Sequence, residues 1–289
     1  MSGAPAFPPP HTWRPLLELA LAEDLGPGDA TTPLVVGEGQ DGEAVIEARA
    51  PLVVCGLALA AAAFEAVDAG VTFAAESRDG ERLTAGEPLA KVFGSLRSLL
   101  AAERTALNFL GRMCGVATYT RRFADAIAGT GCTLADTRKT LPGWRSLDKY
   151  AAAVGGAVNH RIGLYDGILL KDNHVAAAGG TTLAVEAALA GARANLRVQV
   201  EVESEADALA AIEAGADSLL LDNRSPDELR RIVARVAGRA LLEASGGITI
   251  ENARTVAETG VHRISVGALT HSAPAADVAM ELAAGGARP

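Results

Sequence analysis

The sequence predicts an α/β protein in which a small mixed α/β unit precedes an incomplete or distorted βα barrel. After Thr130, short apolar runs alternate with alanine-rich helical segments, and candidate strands start near Cys132, Ile168, Arg197, Ser218, Leu241 and Arg263. The last four starts are little more than twenty residues apart, a length that fits one parallel strand, one helix and two loops. With a seventh strand expected near Val158, a barrel is favoured over an open doubly wound sheet.

The composition supports a folded protein and argues against two classes of partner. A chain of 289 residues with 49% hydrophobic content can bury a large core. Its formal net charge of -9 is unlike that of proteins that neutralise a nucleic acid or an anionic membrane, so we expect neither as a partner. The longest apolar stretch, Leu52 to Phe64, is too short to cross about 30 Å of hydrocarbon as a helix.

The first fifteen residues are rich in proline and lack the apolar segment of a signal peptide. We therefore expect a flexible arm at 1–15 on a cytoplasmic protein. The three cysteines, Cys55, Cys114 and Cys132, are far apart and form no C-x-x-C pair. Buried free thiols are expected rather than a zinc site or a disulfide framework.

Periodicity and turn residues place the elements of the first unit. We expect a helix at Arg14 to Leu25, a strand at Glu43 to Val54, a helix at Leu57 to Ala69, and strands at Val71 to Ala75 and Pro88 to Phe93. Ser95 can then cap a long helical run in which Gly111 and Gly115 are candidate breaks. The predicted divisions are an N-terminal domain with a bridging helix at 16–115, a barrel domain at 116–273, and a C-terminal helix and tail at 274–289.

Nearly every predicted barrel strand ends in charged residues or glycine. These ends are Ala135 to Lys139, Leu170 to Asn173, Val200 to Glu203, Leu221 to Asn223, Glu243 to Gly247, and Val266 to Ala268. The loops after the strands of a βα barrel meet at one rim, where such proteins build their active sites. One charged end commonly marks only the return of the chain to water. Five or six at one rim indicate a polar site, because burying ionisable groups is costly without ligands.

The charges at these strand ends are sorted by kind along the chain. The cationic side chains Arg138, Lys139, His160, Arg161 and Lys171 come first, and the carboxylates Glu201 and Asp222 follow. Arginine binds carboxylate and phosphate groups through two parallel hydrogen bonds. Two carboxylates on adjacent strands suit Mg²⁺ that is also held by a substrate pyrophosphate. The pattern predicts an anion pocket beside a magnesium-binding edge.

Two glycine-containing loops, Ser245-Gly246-Gly247 and Val266-Gly267-Ala268, each lie between a predicted strand and a helix. Backbone N–H groups in such loops can hold a phosphate. No G-x-G-x-x-G motif opens a helix in this region, so a dinucleotide site has no support.

With these residues in place, the chain resembles the quinolinate phosphoribosyltransferase family over essentially its whole length. The strongest matches are Asp136-Thr137-Arg138-Lys139-Thr140, Pro142-Gly143, Lys149, Gly155-Gly156, Asn159-His160-Arg161 and Lys171-Asp172-Asn173-His174. Weaker ones include Glu23-Asp24, Glu103-Arg104, Asn108, Leu221-Asp222-Asn223 and Gly267-Ala268-Leu269-Thr270. The chain departs from the commonest pattern at Leu141, Trp144 and Ala157.

The resemblance implies the type II phosphoribosyltransferase fold, with an N-terminal open α/β sandwich and a C-terminal incomplete barrel. It implies transfer of the phosphoribosyl group of 5-phosphoribosyl-1-pyrophosphate to quinolinate, with decarboxylation to nicotinate mononucleotide in NAD biosynthesis. It also implies a homodimer with shared active sites, or a higher oligomer built from it.

The resemblance further assigns roles to individual residues. Thr137, Arg138, His160 and Arg161 would bind quinolinate, with Arg104 supplied by the partner subunit. Lys139 and Lys171 would lie between quinolinate and the pyrophosphate. Glu201 and Asp222 would bind the ribose hydroxyls and Mg²⁺, and the loops at Ser245 to Gly247 and Val266 to Ala268 would hold the 5-phosphate.

Three other functions remain open on the sequence. A lysine at a barrel strand end, such as Lys171, can form a Schiff base as in aldolases. A related phosphoribosyltransferase could act on another ring, as in the molybdenum-associated homologues. A non-catalytic phosphosugar-binding protein is the third alternative, although it would not need Glu201 and Asp222 together.

Overall fold

The computed structural model describes residues 5–192 and 196–283. The chain divides into unit 1, made of Met1–Arg121, Thr140–Gly156 and Leu269–Pro289, and unit 2, made of Arg122–Lys139 and Ala157–Ala268. The first segment of unit 1 ends six residues after the predicted boundary at 115/116. Two segments expected in the barrel domain, at 140–156 and 269–273, belong to unit 1.

The helices and strands are numbered separately in chain order. After a 3₁₀ turn at Pro10–Thr12, the helices are α1 Arg14–Leu25, α2 Thr32–Val35, α3 Leu57–Val67, α4 Leu96–Ala126, α5 Arg145–Gly155, α6 Asp172–Ala178, α7 Thr181–Gly191, α8 Glu205–Glu213, α9 Pro226–Val236, α10 Ile250–Ala257 and α11 Ala268–His271. The strands are β1 Asp41–Ala48, β2 Leu52–Val53, β3 Thr72–Ala75, β4 Arg82–Leu83, β5 Pro88–Ser95, β6 Thr133–Ala135, β7 Ile168–Leu170, β8 Val198–Val202, β9 Ser218–Asp222, β10 Leu241–Ser245, β11 Arg263–Ser265 and β12 Val278–Leu282. Among the described residues, no helix is long and apolar enough to cross a membrane.

Unit 1 contains an antiparallel sheet in the order β12-β1-β5-β3 and a small sheet of β2 and β4. Along β1, Ala44, Ile46 and Ala48 are buried, the period of two expected for a strand with one face in the core. The single strand predicted at Glu43 to Val54 is two strands, β1 and β2. The mixed α/β unit predicted from the sequence is thus confirmed, with these changes to its strands.

The proline-rich arm is packed from Phe7 onward, so the prediction of a flexible arm at 1–15 is wrong for this part. The Phe7 ring lies 5.0 Å from the ring of Tyr150 and 6.0 Å from that of Trp13. Trp13 is buried, and its indole N–H donates to the carbonyl of Pro8 at 2.9 Å. Two large aromatic side chains bury enough apolar area to offset the entropy lost on ordering a short proline-rich segment.

Helix α4 is continuous through Gly111 and Gly115, which are not breaks. A Cβ at Gly115 would lie 2.2 Å from the carbonyl oxygen of Pro274, and one at Gly111 would lie 3.1 Å from that of Ala276. The backbone N–H of Ala276 donates to the carbonyl of Gly111 at 2.8 Å. The two glycines therefore allow the 274–276 backbone to approach the helix closely, which is their structural role.

The helix predicted at 274–289 is wrong for its described part. Val278–Leu282 is strand β12, which pairs antiparallel with β1 in the register Ala44↔Leu282 to Ala48↔Val278. Backbone hydrogen bonds to the available edge of β1 override the helical preference of this alanine-rich segment. Residues 284–289 lie outside the described residues.

Unit 2 is a parallel sheet of six strands in the order β6-β11-β10-β9-β8-β7. All six strand starts predicted from the sequence are confirmed within one residue. The seventh strand expected near Val158 is present only as an isolated parallel bridge between Val158 and Ala135. That bridge lies beyond β6, at the edge of the sheet opposite β7.

Side-chain contacts bring the two edges of this sheet together. His160, which follows the bridge beyond β6, has its Nε2 atom 3.2 Å from the side-chain oxygen of Gln199 in β8. Arg161 donates from its guanidinium to the carbonyl of Gly167, directly before β7, at 3.1 Å. The twist of parallel strands curves such a sheet. The incomplete barrel predicted from the sequence is confirmed.

A buried ion pair connects α4 and α5 within unit 1. The Arg112 guanidinium donates to Asp148 Oδ1 at 3.1 and 2.9 Å and to Oδ2 at 3.0 Å. Asp148 is 1% exposed, and its Oδ2 atom also accepts from the backbone N–H of Leu141 at 3.2 Å. Burial raises the pKa of Asp148 even though Arg112 acts in the opposite direction. Desolvation is therefore large here, and each partner depends on the other.

We expect Arg112→Ala to lower the free energy of unfolding by about 3–5 kcal/mol, because it leaves Asp148 buried without its counter-charge. Urea unfolding of the purified protein measures the change. Arg230→Ala is the matched control, because its salt bridge to Asp227 is exposed and should contribute only about 0–1 kcal/mol. Equal losses in the two variants would contradict the role given to the buried pair.

Candidate active site

The ends of the barrel strands form one rim, as the sequence predicts. Asp222, the last residue of β9, pairs with Ser245 at the end of β10, and Ser245 pairs with Ser265 at the end of β11. On the other side, Leu170 of β7 pairs with Val200 of β8, so Lys171, directly after β7, lies beside Glu201, the penultimate residue of β8. The strand-end residues chosen from the sequence therefore lie along one edge of the barrel.

Arg138, which follows β6, and Arg161, which follows the bridge at Val158, are close enough for their positive charges to interact. Burial lowers the pKa of Arg161, and the positive charge of Arg138 lowers it further, while Asp166 has the opposite effect. Such a pair of guanidinium groups is favourable only when an anion offsets their repulsion. The two side chains thus suit a ligand that carries carboxylates.

Asp136 organises the segment that carries His160 and Arg161. This fully buried carboxylate accepts from the backbone N–H of His160 and from the side chain of Asn159, both at 2.7 Å. Directly after it, the backbone N–H of Lys139 donates to the Thr137 hydroxyl at 3.0 Å. The sequence places Asp136 in a family motif but does not predict this role for it. The signal was an acidic residue at the end of an otherwise apolar strand.

Lys171 and Glu201 face one another across the ends of β7 and β8, with Nζ and Oε2 4.0 Å apart. Burial raises the pKa of Glu201, and the negative charge of Asp222 adds to the effect, whereas Lys171 opposes it. Asp172 and Glu203 also act to raise this pKa. A cation bound here would offset the surplus of negative charge.

The carboxylate edge fits a magnesium ion only together with further ligands. Among the described residues, no group of three or more His, Cys, Asp or Glu side chains is arranged to hold a metal ion. Glu201 and Asp222 supply carboxylate oxygens, the atoms that Mg²⁺ prefers. Mg²⁺ usually retains waters and substrate phosphate oxygens beside one or two carboxylates, so the donor set is compatible with an ion that binds with a pyrophosphate.

Asn223 links the carboxylate edge to the first glycine loop. Its backbone is in the left-handed region with φ of 52°, and its side-chain amide donates to Asp222 Oδ2 at 2.7 Å. Its backbone N–H donates to the carbonyl of Ser245 at 2.8 Å. A Cβ at Gly246 would lie 2.2 Å from the Asn223 side-chain oxygen. The sequence does not predict this role for Asn223, because its left-handed backbone conformation depends on tertiary contacts.

The two glycine loops differ in how much backbone they can offer to a phosphate. Gly246 and Gly247 have φ of 87° and 60° and connect β10 to the segment before α10. In the second loop, the N–H of Val266 already donates to the carbonyl of Ala135 at 3.0 Å. That N–H joins the strand ends, and the assignment of Val266 to the phosphate-binding loop stays a prediction. Gly267 and Ala268 follow it at the start of α11.

A cavity of about 480 Å³ lies under the rim. It is lined at the amino ends of the strands by Ile168, Arg197, Ser218, Leu241 and Arg263, and on its other sides by Gln199 and the segment from Asn159 to Gly167. His160 and Arg161 both border it. These two side chains thus have open space beside them on the side of the sheet where the strands begin.

Arg104 is exposed on α4, in unit 1. Its contact with a second subunit stays a prediction. The residues that depart from the commonest family pattern also lie in described positions: Leu141 is partly exposed, Ala157 is buried, and the Trp144 ring lies 5.1 Å from that of Phe109.

A βα barrel whose rim combines paired arginines, lysines, carboxylates and glycine loops defines an enzyme that binds anionic, phosphate-bearing substrates. The quinolinate phosphoribosyl transferase family provides two matches to this chain, its N-terminal domain over residues 29–114 and its C-terminal domain over residues 116–281. The chain belongs to this family.

Similar sequences and a similar crystal structure support this assignment. The probable nicotinate-nucleotide pyrophosphorylase [carboxylating] of Bacillus subtilis is 40% identical over 93% of this chain and 93% of its own length. The nicotinate-nucleotide pyrophosphorylase [carboxylating] of Mycobacterium leprae is 43% identical over 93% of this chain and 96% of its own length. The crystal structure of NadC from Streptococcus pyogenes has a TM-score of 0.92 at 37% identity, covering 96% of this chain and 98% of that one.

The contact between Asn223 and Gly246 generates a prediction about stability. A Cβ at Gly247 meets no atom within 4 Å, so Gly247→Ala should cost only the strain of the left-handed backbone, about 1–2 kcal/mol. Gly246→Ala should cost more, because its Cβ meets the Asn223 side chain. Adding Asn223→Gly should recover more of the loss in Gly246→Ala than in Gly247→Ala, because only the first variant has a clash with the Asn223 side chain. Urea unfolding of the four variants tests this, and equal recovery in both backgrounds would refute the contact.

Proposed function

We propose that this chain transfers the phosphoribosyl group of 5-phosphoribosyl-1-pyrophosphate to quinolinate, releasing pyrophosphate and CO₂ and forming nicotinate mononucleotide. The observation that carries the proposal is the arrangement of the rim, where the Arg138 and Arg161 pair precedes the carboxylates Glu201 and Asp222. The first suits a dicarboxylate and the second a ribose with its hydroxyls. Membership of the family, and the names of the relatives, support the same pair of substrates.

Binding of quinolinate is the first task of the site. Arg138 and Arg161 hold the carboxylates, with Thr137 and His160 beside them, so that the pyridine nitrogen faces C1 of the ribose. Fixing two reactants in a reactive geometry removes much of the entropic cost of their reaction. Glu201 and Asp222 accept hydrogen bonds from the ribose hydroxyls and thereby fix the sugar.

Transfer follows as the bond between C1 and the pyrophosphate breaks and the pyridine nitrogen bonds to C1. Positive charge develops on the ribose, and negative charge gathers on the departing pyrophosphate. Lys139 and Lys171 stabilise the latter charge from fixed positions at the rim. The phosphate on C5 is held by backbone N–H groups of the loop Ser245 to Gly247 and of Gly267 and Ala268.

Decarboxylation completes the reaction after the nitrogen has become quaternary. Loss of CO₂ from the 2-carboxylate leaves an electron pair on C2, beside the positive nitrogen, and a proton then takes that position. The arginines need only hold the 3-carboxylate firmly while the other departs. Mg²⁺, held by Glu201 and Asp222 together with pyrophosphate oxygens, would supply further charge neutralisation for the leaving group.

The alternatives fit the rim less well. A Schiff-base lysine is activated by desolvation or by a second cation, whereas Lys171 is about half exposed (49%) and lies beside the Glu201 carboxylate. A protein that only binds a phosphosugar has no use for the arginine pair. A phosphoribosyltransferase that acts on another ring would keep the ribose edge, and the test below separates it by the choice of acceptor.

We also propose a cytoplasmic homodimer in which Arg104 of one subunit completes the site of the other. Arg104 is exposed on α4. Its guanidinium is therefore accessible to an anionic substrate bound by a second subunit. Assembly beyond the dimer is compatible with this arrangement, since two-fold interfaces can be repeated with closed symmetry.

Quinolinate-dependent release of CO₂ is the direct test of the proposed function. The purified protein should release CO₂ and pyrophosphate only when both substrates and Mg²⁺ are present, and chelation should abolish the release. Arg138→Ala should weaken quinolinate binding by about 2–5 kcal/mol, the usual effect of removing one partner of a buried charge pair. Nicotinate, which lacks the 2-carboxylate, should react poorly. Equal rates with nicotinate and quinolinate would exclude a dicarboxylate pocket.

Subunit mixing tests the shared site. Arg104→Ala and Asp222→Ala should each be inactive alone. When equal amounts exchange subunits, about half of the dimers are mixed, and one site of each mixed dimer receives an intact Arg104 and an intact Asp222. Roughly a quarter of all sites should then recover activity. If mass spectrometry shows exchange without recovery, Arg104 serves the site of its own chain or none.

A further inference from the structure

A carboxylate lies inside the barrel, below the rim, where the reaction described above does not use it. Glu243 is the third residue of β10 and is fully buried. A buried charge is retained only when counter-charges and hydrogen bonds offset its desolvation. The neighbours of Glu243 therefore indicate what the carboxylate is for.

Polar and charged side chains contact both oxygens of this carboxylate. Oε2 accepts from the Gln199 amide at 3.1 Å and lies 3.4 Å from the Arg263 guanidinium. Oε1 lies 3.4 Å from His160 Nε2, which is an electrostatic contact, because this oxygen has no hydrogen-bond partner among the described residues. Burial acts to raise the pKa of Glu243, but interaction with His160 and hydrogen bonds from Ser265 and Gln199 leave it below its ordinary value. The carboxylate is thus ionised at neutral pH.

The hydrogen bonds of His160 determine which ring nitrogen carries the proton. Nδ1 accepts from the backbone N–H of Arg161 at 2.8 Å, and a backbone N–H can only donate. The proton of the neutral ring is therefore on Nε2, which faces the side-chain oxygen of Gln199 at 3.2 Å and the Glu243 carboxylate. A chain of contacts runs from Glu243 through His160 to the backbone of Arg161.

Packing alone does not hold the imidazole in this orientation. In a close-packed core, neighbouring side chains fix a rotamer, but His160 borders the 480 Å³ cavity. The ring has space on that side, so its orientation depends on its polar contacts. Glu243 and Gln199 supply the contacts at Nε2.

We propose that Glu243 is a positioning residue that fixes the His160 imidazole in its Nε2–H form and thereby holds Arg161 in place to bind the quinolinate carboxylate. The proposal rests on the proposed function, because it assigns the role of Arg161 to quinolinate binding. Glu243 itself does not touch a substrate. Its replacement should therefore weaken the binding of quinolinate only, and should do so through His160. A charge with a purely structural role would affect the binding of both substrates.

Glu243→Gln tests the proposal, because glutamine keeps the shape of the side chain and removes its charge. Quinolinate affinity, measured by calorimetry without the second substrate, should fall about 10- to 100-fold. This is the loss expected when the charge-assisted hydrogen bond from Arg161 to the quinolinate carboxylate is no longer well formed. The KM for 5-phosphoribosyl-1-pyrophosphate should stay within about twofold. The ¹⁵N spectrum of the labelled His160 ring should shift away from a single Nε2–H form.

A double-mutant cycle shows whether Glu243 acts through His160. In a His160→Ala background, adding Glu243→Gln should not weaken quinolinate binding further, because the group that Glu243 positions is gone. Additive losses would overturn the proposal, as would an unchanged quinolinate affinity in Glu243→Gln alone. Equal changes for both substrates would also overturn it.

Arg263 supplies the matched control, because it contacts the other oxygen of Glu243, Oε2, and not the one nearest His160. Arg263→Gln removes that contact but leaves the one to His160, so quinolinate affinity should stay within about twofold. If Glu243→Gln alone does not fold, the double variant Glu243→Gln/Arg263→Gln leaves no unpaired buried charge and should show the same loss of affinity. Wild-type protein that fails to bind quinolinate would refute the proposed function, whereas normal binding by the Glu243 variants would refute only this inference.

Discussion

Parallel pairing of the six strands in unit 2 is the constraint on which the rest of the candidate site depends. Each strand runs in the same direction as its neighbour, so the residues that follow the strands all emerge at one edge. A chain that places cationic groups after its early strands and carboxylates after its later ones must then present both at the same rim. No special loop conformation is needed to bring Lys171 beside Glu201, because the pairing of β7 with β8 already does so.

Curvature of the sheet adds what pairing alone cannot. The segment that carries His160 and Arg161 lies beyond β6, at the edge opposite β7. In a flat sheet, Arg161 at this edge and Lys171 after β7 would be separated by all six strands. Closure brings them together and creates an interior that is partly polar and not completely filled. The buried Glu243 network lies in this interior, which explains how a charge below the rim can influence groups at the rim.

Electrostatics connects the fold to the chemistry. Like charges lie near one another in two places. Burial and the charge of Arg138 lower the pKa of Arg161, and burial and the charge of Asp222 raise the pKa of Glu201. A dicarboxylate relieves the first, and a cation bound with pyrophosphate relieves the second. Ionisable groups perturbed by burial and like charges cluster at functional sites. The opposite arrangement in unit 1, where Arg112 and Asp148 satisfy one another, leaves nothing for a ligand to offset.

The sequence by itself determined the α/β class, the starts of all six barrel strands and the strand-end residues that form the rim, because these depend on local apolar runs and on the common direction of parallel strands. It also identified the family. It did not reveal the packing of Phe7 and Trp13, the strand at Val278–Leu282 or the close approach at Gly115, since each depends on a partner distant in sequence. Asp136, Asn223 and Glu243 were overlooked as organising residues for the same reason. An acidic or amide side chain has the same appearance in a sequence whether it faces water or a buried imidazole, and only tertiary structure decides which.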